Sequence, residues 1–230
     1  MECIKTIIDH KSKVNSLLLL KDKRVASCSM DRTIRIFDPS KDYHCDQVLN
    51  RHNGDIFSIC ELEDGTIVSC SFDNSIMIGD YTIKNAHDGW IYKVITLPNN
   101  RIASCSCDKN IKIWTSNPPY SDTPIKVLEG HDKTVFSLLY IKEKDMMISG
   151  SFNEKLCLWN MSTYQCVAVI EGVKCNNSNS IYQIDKDRVI VGGWDTFSIV
   201  NIDKCAIEKK IIDKSLVNVC CFLKLKDNKT

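Results

Sequence analysis

The stretch HDGWIYKVITLPNNRIASCSCDKNIKIW, from His87 to Trp114, contains the pattern that decides the fold. Its histidine lies four residues before a β-branched residue, Ile91, and 21 residues before an acidic one, Asp108. The same arrangement, with an Asp or Asn 21 or 22 residues on, follows three other histidines: His10, His52 and His131. Consecutive histidines are 42, 35 and 44 residues apart, which is typical of a structural repeat with loops of variable length.

Each acidic residue of the repeat ends a five-residue segment of similar composition. These segments are Ser27–Asp31, Ser69–Asp73, Ser104–Asp108, Ser149–Asn153 and, in a divergent fifth copy, Val191–Asp195. Six residues after the first four acidic positions comes a second repeat position, occupied by Phe37, Gly79, Trp114 and Trp159. In the fifth copy the matching residue is Val200, one position early, so we expect a turn shorter by one residue.

Short apolar runs separated by charged turns fill each unit. In the first unit they are Val14–Leu20, Val25–Ser29 and Ile34–Phe37, which are rich in β-branched residues or Leu. A fourth short run closes a unit, as at Ile125–Leu128 and Cys166–Ile170. Runs of this length and composition predict β-strands, and no stripe of apolar residues at helical spacing competes with them. Four strands in a unit of about 40 residues are typical of a propeller blade.

The chain resembles the WD-repeat β-propeller family. The resemblance rests on Gly130-His131, Ser149-Gly150-Ser151 and Trp159-Asn160, and it extends over five copies. It implies an all-β fold, a β-propeller of four-stranded antiparallel blades, in a single domain over residues 1–230. About five complete blades are expected, at 14–49, 56–83, 91–128, 135–170 and 181–212. The Gly before the His is kept only at Gly130, and the closing Trp-Asp pair of the family has diverged in every copy.

Partial strands are expected at both ends of the chain. Residues 3–8 resemble the outer, fourth strand of a blade, because they precede His10 as Ile125–Leu128 precedes His131. Residues 217–223 resemble the first strand of a further blade. Propellers of this family close by pairing an N-terminal outer strand with C-terminal inner strands, which removes exposed edges. The sequence therefore predicts an incomplete or open ring, in a fragment, a truncated gene product or a protein whose ring stays open.

The resemblance also implies a buried, hydrogen-bonded set of His, Ser, Asp and Trp side chains. The third unit has all four of them: His87, Ser104, Asp108 and Trp114. The members in other units are His10, Asp31, His52, Asp73, His131, Ser149 and Trp159. An unpaired polar group in a sheet core costs about 1–3 kcal/mol, so buried side chains of these types need one another. A catalytic triad is the alternative interpretation, but an active site needs one copy and the pattern recurs.

Composition narrows the class of function. The net charge is +1 with both signs interspersed, so nothing indicates nucleic acid or a membrane surface as a partner. We recognise no signal peptide and no apolar run of the about 18 residues that a transmembrane helix needs. The 13 cysteines, an odd number without a secretion signal, favour the cytoplasm or the nucleus. Cys28, Cys70 and Cys105 share one small strand position that we expect to be buried. The cysteine spacing does not suit zinc, and neither a metal nor a cofactor is expected.

Aromatic and apolar residues concentrate at repeat positions that the resemblance places on one loop face of the propeller. These positions lie beside the start of each first strand and just before each acidic residue. The partner-binding residues predicted there are Trp90, Tyr92, Phe57, Phe136, Tyr182, Trp194, Asn15 and Met30. Aromatic side chains dominate the energetics of protein interfaces. Packing between blades is the alternative role, and we expect it of Phe72 and Phe152.

The sequence therefore predicts a non-catalytic scaffold or adaptor that binds a partner protein or peptide on this loop face. A structural subunit of a coat, cytoskeletal or ubiquitin-ligase assembly is the alternative. A propeller hydrolase would need one non-repeating set of acid and base groups. The candidate for such a set is His44, with Asp42, Cys45 and Asp46, in a predicted loop between outer strands. No small-molecule substrate is evident from the sequence.

Overall fold

A computed structural model describes residues 5–213 of the 230-residue chain. These residues form five four-stranded sheets, and all neighbouring strands within a sheet are antiparallel. The strands of each sheet lie side by side in chain order, so each sheet is a meander. The all-β fold with four-stranded antiparallel blades that the sequence predicts is confirmed.

The sheets follow one another along the chain. The first contains β1 Val14–Leu19, β2 Val25–Ser29, β3 Ile34–Asp38 and β4 His44–Leu49. The second contains β5 Ile56–Glu61, β6 Ile67–Ser71, β7 Ile76–Ile78 and β8 Tyr81–Ile83. The third contains β9 Ile91–Leu97, β10 Arg101–Ser106, β11 Ile111–Thr115 and β12 Lys126–Leu128. The fourth contains β13 Val135–Ile141, β14 Met146–Ser151, β15 Lys155–Asn160 and β16 Gln165–Glu171. The fifth contains β17 Ile181–Gln183, β18 Arg188–Gly192, β19 Thr196–Asn201 and β20 Ala206–Ile212.

The repeated Asp builds the tight turn between the second and third strands of a sheet. In the third sheet, Asp108 Oδ1 accepts the backbone N–H of Asn110 at 2.9 Å, and Ser106 Oγ accepts that of Asp108 at 3.1 Å. Lys109, between them, has the left-handed φ of 75°. Asp side chains favour such turns because they bond to the backbone two residues further on. The Ser-x-Asp spacing seen in the sequence is therefore required by the turn itself.

The hydrophobic core is divided into layers that lie between consecutive sheets. In the layer between the second and third sheets, Ile76 and Ile78 of the second are buried together with Val94 and Trp114 of the third. Three further clusters of the same kind join the first sheet to the second, the third to the fourth and the fourth to the fifth. Because burying one large apolar side chain contributes about 1.5–3 kcal/mol, each sheet is held mainly by its neighbours.

The shared cysteine position lies inside these layers. Cys28, Cys70 and Cys105 are fully buried, as the repeat position predicts. Burial raises the pKa of the Cys28 thiol to about 12. In the fourth sheet Gly150 occupies the same position, and a Cβ on it would meet Cys175 Sγ at 2.3 Å. Only a residue without a side chain fits there, because the next sheet approaches its backbone closely.

The five sheets are not closed into a ring. Val14, Leu17 and Leu19 of β1 are exposed by 42%, 69% and 66% on the side that faces away from the second sheet. In the fourth sheet Leu138, which pairs with Ser149 as Leu17 pairs with Ser27, is only 2% exposed. These leucines have the same position in their strands. They differ in exposure because the third sheet covers Leu138, whereas no sheet among the described residues covers this face of β1.

Of the two strands predicted at the chain ends, only part of the N-terminal one lies within the described residues. Residues 5–8, the described part of the outer strand predicted at 3–8, do not form a strand. A fourth strand forms against a third strand, and the third strands of all five described sheets already pair with their own fourth strand. The first strand predicted at 217–223 lies outside the described residues. The shorter turn predicted in the fifth unit is present, because Val200 pairs with Val189 as Trp114 pairs with Ile102.

Candidate functional site

The third sheet joins its four repeated polar side chains into one buried set. His87 Nδ1 lies 2.7 Å from Asp108 Oδ2, and His87 Nε2 lies 2.7 Å from Ser104 Oγ. Trp114 Nε1–H donates to the same Ser104 oxygen at 2.8 Å. Burial lowers the pKa of His87 even though Asp108 acts to raise it. The set therefore contains a neutral imidazole whose Nδ1–H points at a carboxylate.

The other sheets have partial versions of this set. His10 lies 2.9 Å from Asp31 and 2.6 Å from Ser27, and His52 lies 3.1 Å from Asp73. Neither of these two sheets has a Trp at the second repeat position.

The fourth sheet lacks the carboxylate instead. His131 Nε2 lies 2.7 Å from Ser149 Oγ, which accepts Trp159 Nε1–H at 2.8 Å, but Asn153 stands where the other sheets have Asp. Burial lowers the pKa of His131 to about 4.

The carboxylates of these sets are ionised because hydrogen bonds outweigh burial. Burial acts to raise the pKa of Asp73, but hydrogen bonds from His52 and Ser75 lower the pKa below its usual value. The pKa of Asp108 is lowered in the same way, against burial, chiefly by the hydrogen bond from His87. Paired, hydrogen-bonded groups of this kind satisfy one another in the core.

The set in the third sheet has the connectivity of a catalytic triad, but its serine, like that of the fourth sheet, is held inside the protein. Ser104 and Ser149 are 0% exposed, and each hydroxyl oxygen is already occupied by a Trp N–H. A nucleophile must reach its substrate, so these two sets act as hydrogen-bonded supports of the sheet in this structure.

The residues considered for a hydrolase site, around His44, do not come together in one site. His44, Cys45 and Asp46 lie in the strand β4, so the predicted loop is wrong. Asp46 pairs with Lys41, and Asp42, which is exposed, pairs with Lys5. The strand separates these side chains because alternate residues point to opposite faces of a sheet.

Six aromatic side chains form a continuous cluster over the second, third and fourth sheets. We call Phe57, Phe72, Trp90, Tyr92, Phe136 and Phe152 the aromatic cluster. Phe72 stacks between Phe57 and Trp90, with ring centroids 4.0 and 4.4 Å apart. Tyr92 meets Phe136 edge to face at 4.7 Å, and Phe136 meets Phe152 at 6.2 Å. Such geometries add about 0.5–1.5 kcal/mol per pair beyond burial, so the cluster is a preorganised surface.

The two ends of the aromatic cluster are open to solvent. Trp90 is 50% exposed and Phe152 is 55% exposed, whereas the rings between them are half-buried. The expectation that Phe152 packs between blades is therefore wrong, and Phe72 belongs to the cluster as well. Both residues precede a repeat Asp or Asn, as Met30 and Trp194 do. This shared repeat position predicts that the Phe72 and Phe152 side chains lie on the loop face.

The remaining predicted face residues are not members of the aromatic cluster, although Asn15 and Tyr182 line the same cavity as Phe57. Trp194 is 61% exposed, but it makes no ring contact with the cluster among the described residues. Met30 is half-buried. Asn15 Nδ2 donates to Ile56 O at 2.9 Å, and Tyr182 lines a central cavity. The sequence-predicted set thus divides into four cluster members and four separate residues.

The central cavity has a volume of about 960 Å³ and is lined by the first strands of the sheets. Lys93 projects into it from β9, and its ammonium donates to Asn179 Oδ1. Asn179 in turn donates to Asn15 O at 3.1 Å, which connects the loop before β17 to β1. Burial lowers the pKa of Lys93. The cavity is therefore spanned by a polar bridge between the first and fifth sheets.

Residues 5–213 lack two features, a metal-binding cluster and a membrane-spanning helix. Across residues 5–213, no three His, Cys, Asp or Glu side chains are grouped so that they could hold a metal ion. The same part of the chain contains no helix of the length and apolarity that a membrane crossing requires.

The consecutive four-stranded sheets, four of which contain a His-centred hydrogen-bonded set, define a protein of repeated propeller blades. The family model "WD domain, G-beta repeat" matches residues 1–38, 43–80, 81–115 and 122–160. The chain therefore belongs to the WD-repeat family.

A similar curated protein is the nuclear distribution protein nudF of Aspergillus niger, with 31% identity over 91 residues. The match covers 39% of this chain and 20% of that protein. WD repeats generally mediate protein–protein interaction, and proteins of the family are generally non-catalytic scaffolds.

Proposed function

We propose that this chain is a non-catalytic scaffold that binds a partner protein or peptide through the aromatic cluster. The observation that carries the proposal is the exposure of Trp90 and Phe152 at the two ends of a stacked aromatic row. An exposed apolar patch on a folded protein usually marks an interaction site. Trp is also the side chain most enriched at the energetic centres of interfaces.

The rigidity of the aromatic cluster supports this function. Phe72 is held between two stacked rings and Tyr92 between edge-on neighbours. A partner would therefore meet side chains whose rotamers are already restricted, which lowers the entropy lost on binding. Burial raises the pKa of Tyr92 to about 12, so this ring presents a neutral hydroxyl. An apolar or aromatic side chain of the partner is the complement that this surface favours.

The test compares the proteins captured from a cell extract by the chain and by the variant Trp90→Ala/Phe152→Ala. The matched control is Val167→Ala, because Val167 is 54% exposed on the outer strand β16, outside the aromatic cluster. For each captured protein, the affinity is then measured directly. We expect the double variant to bind at least about thirtyfold more weakly, as the loss of an interface hot spot implies. Capture that is equal for all three proteins, with unchanged melting temperatures, would reject this site.

The proposed location is the cytoplasm, with the nucleus as the alternative. The cysteines Cys28, Cys60, Cys70, Cys105, Cys157 and Cys175 are buried as free thiols, which a reducing compartment maintains. Fractionation of cells that express the tagged chain tests this, and recovery in a secreted or luminal fraction would contradict it.

A further inference from the structure

The second repeat position determines how well the junction between two sheets is filled. Trp114 and Trp159 occupy it in the third and fourth sheets and are 1% and 2% exposed. Each indole N–H donates to a buried serine of its own sheet at 2.8 Å. In the second sheet this position is Gly79. No indole side chain therefore fills the junction with the first sheet, and none donates to Ser69, the matching serine of the second sheet.

A cavity of about 270 Å³ lies where the indole of the second sheet would be. Its walls include Ile36 of the first sheet and Ile56, Ile67 and Met77 of the second, and Ser69 lies among them. Such a cavity is larger than the roughly 150 Å³ apolar cavity that takes up benzene in another protein. A planar bicyclic ring therefore fits its volume, and most of its lining is apolar.

Ser69 offers a hydrogen-bond acceptor to the cavity, whose other polar lining residues include Gln47, Arg51 and Asp80. His52 Nδ1 faces the Asp73 carboxylate at 3.1 Å, so we assign the imidazole hydrogen to Nδ1. His52 Nε2 then accepts the Ser69 hydroxyl hydrogen at 2.8 Å. The lone pairs of Ser69 Oγ can then accept a hydrogen bond from a ligand, just as Ser104 Oγ accepts one from Trp114 Nε1–H.

The protein cannot supply the missing ring from position 79 without strain. Gly79 has the left-handed φ of 55°, and a Cβ on it would lie 3.2 Å from Thr66 Cγ2. The mouth of the cavity is formed by an ion pair between Arg51 and Asp80 at 2.6 Å, and the Asp80 side chain is 93% exposed. Because a surface ion pair of this kind contributes little, it can open to admit a ligand.

We propose that the cavity between the first and second sheets binds an indole ring, with the ring N–H donating to Ser69 Oγ. The ring can belong to a free indole compound or to a tryptophan side chain, because both present the same planar apolar surface with one donor. This site is separate from the aromatic cluster, so it stands or falls independently of the proposed function.

The first test is calorimetric titration of the chain with indole and with 1-methylindole, in which a methyl group replaces the donated hydrogen. Indole should bind saturably with one site per chain and raise the melting temperature. 1-Methylindole should bind about fivefold more weakly, as the loss of one hydrogen bond implies. N-acetyltryptophanamide separates the two sources: binding like indole supports a peptide tryptophan, and exclusion supports a small free indole. Absence of saturable indole binding, or equal binding of the two indoles, would overturn the proposal.

A second test fills the cavity from the opposite strand. Ile67 pairs with Gly79, whose N–H donates to Ile67 O at 3.1 Å, so Ile67→Phe directs a ring into the cavity. We expect this variant to lose indole binding, whereas Val167→Ala, on the outer strand of the fourth sheet, keeps it. Indole affinity that is unchanged in Ile67→Phe would overturn the site. If that variant does not fold, the pair of indoles tested on the unaltered chain still decides the question.

Discussion

At the scale of single residues, one serine oxygen organises each buried polar set. In the third sheet Ser104 Oγ bonds to His87 and accepts from Trp114, so a single hydroxyl joins an imidazole to an indole. In the fourth sheet Asn153 replaces the carboxylate, and its Oδ1 is buried without a hydrogen-bond partner. A buried polar atom without a partner costs about 1–3 kcal/mol. The sheets therefore differ in how completely their polar groups are satisfied.

Removing the charge of Asp108 should destabilise the third sheet. Asp108 accepts from His87 Nδ1 at 2.7 Å and from two backbone N–H groups. We expect Asp108→Asn to lower the free energy of unfolding by about 2 kcal/mol, because hydrogen bonds to a charged group are lost. Urea unfolding at neutral pH measures this. Asp88→Asn is the control, since the Asp88 side chain is exposed, and an equal loss in both variants would contradict the prediction.

Acid should destabilise the fold through His131 before the carboxylates titrate. Burial lowers the pKa of His131 from 6.5 to about 4. Between these values the unfolded chain takes up a proton that the folded chain does not, so stability is lost as the pH falls through this window. The loss is on the order of 3 kcal/mol for a shift of this size. Below about pH 3.8 the lowered pKa values of Asp73 and Asp108 remove further stability in the same direction.

The measurement is urea unfolding at several pH values between 7 and 4, for the chain and for His131→Asn. The variant should be less stable at pH 7 but should lose less stability as the pH falls. Parallel pH dependences for the two proteins would show that His131 is not the group responsible.

At the scale of elements, the two faces of a sheet are not equivalent. In the second, third and fourth sheets, one face packs on the preceding sheet and the other on the following one. In the first sheet, the face that points away from the second sheet carries Val14, Leu17 and Leu19, which are exposed. In the fifth sheet Ile190, Phe197 and Ile199 are only half-buried. These two apolar faces resemble those that are joined elsewhere in the molecule.

A leucine on the open face should contribute much less to stability than its counterpart in a closed junction. Leu17 is 69% exposed and Leu138 is 2% exposed at the same strand position. We expect Leu138→Ala to cost about 3 kcal/mol and Leu17→Ala less than about 1 kcal/mol. Denaturant unfolding of both variants measures the difference. Similar losses would mean that the face of β1 is covered in solution.

Extra volume should be tolerated only where the indole is missing. Ile67 in the second sheet faces the cavity beside Gly79, whereas Ile102 in the third sheet pairs with Trp114 in a filled layer. We expect Ile102→Phe to cost about 1–3 kcal/mol through overpacking, and Ile67→Phe to be neutral or stabilising. Thermal unfolding compares the two. A larger loss in Ile67→Phe would contradict the presence of the cavity.

At the scale of the whole molecule, stability is distributed along a row of sheets. In repeat proteins it is approximately the sum of the stability of each unit and of each interface. The second, third and fourth sheets have an interface on both sides, and among the described residues the first and fifth have one. The bridge from Asn179 to Asn15 joins the loop before the fifth sheet to the first sheet at the central cavity.

Hydrogen exchange should reveal this gradient. We expect the amides of β10, in the third sheet, to be protected at least about tenfold more than those of β2 and β19, in the outer sheets. Exchange measured by mass spectrometry or NMR under native conditions tests this. Equal protection of the three strands would show that the molecule opens as one unit and that the outer sheets have additional support.

The sequence alone determined the repeat, the strands and the polar sets. Most strand bounds agree within one residue, because alternating apolar residues and turn-forming Asp or Asn act over a few positions of the chain. The pairing of His87 with Asp108 was also predicted, because the resemblance to the WD-repeat family implies it. Local pattern failed at His44, where a strand formed against β3.

Only the tertiary structure decided which of these local features are covered. Leu17 and Leu138 have equivalent places in their repeats, and the sequence does not distinguish a strand face that meets a neighbour from one that does not. The contacts that join Phe72 to Trp90, and the cavity left by Gly79 against Ile36, both arise between consecutive units, where one sheet faces the next. Burial is a property of what packs across a gap in space, so it depends on the assembled sheets as well as on the residue.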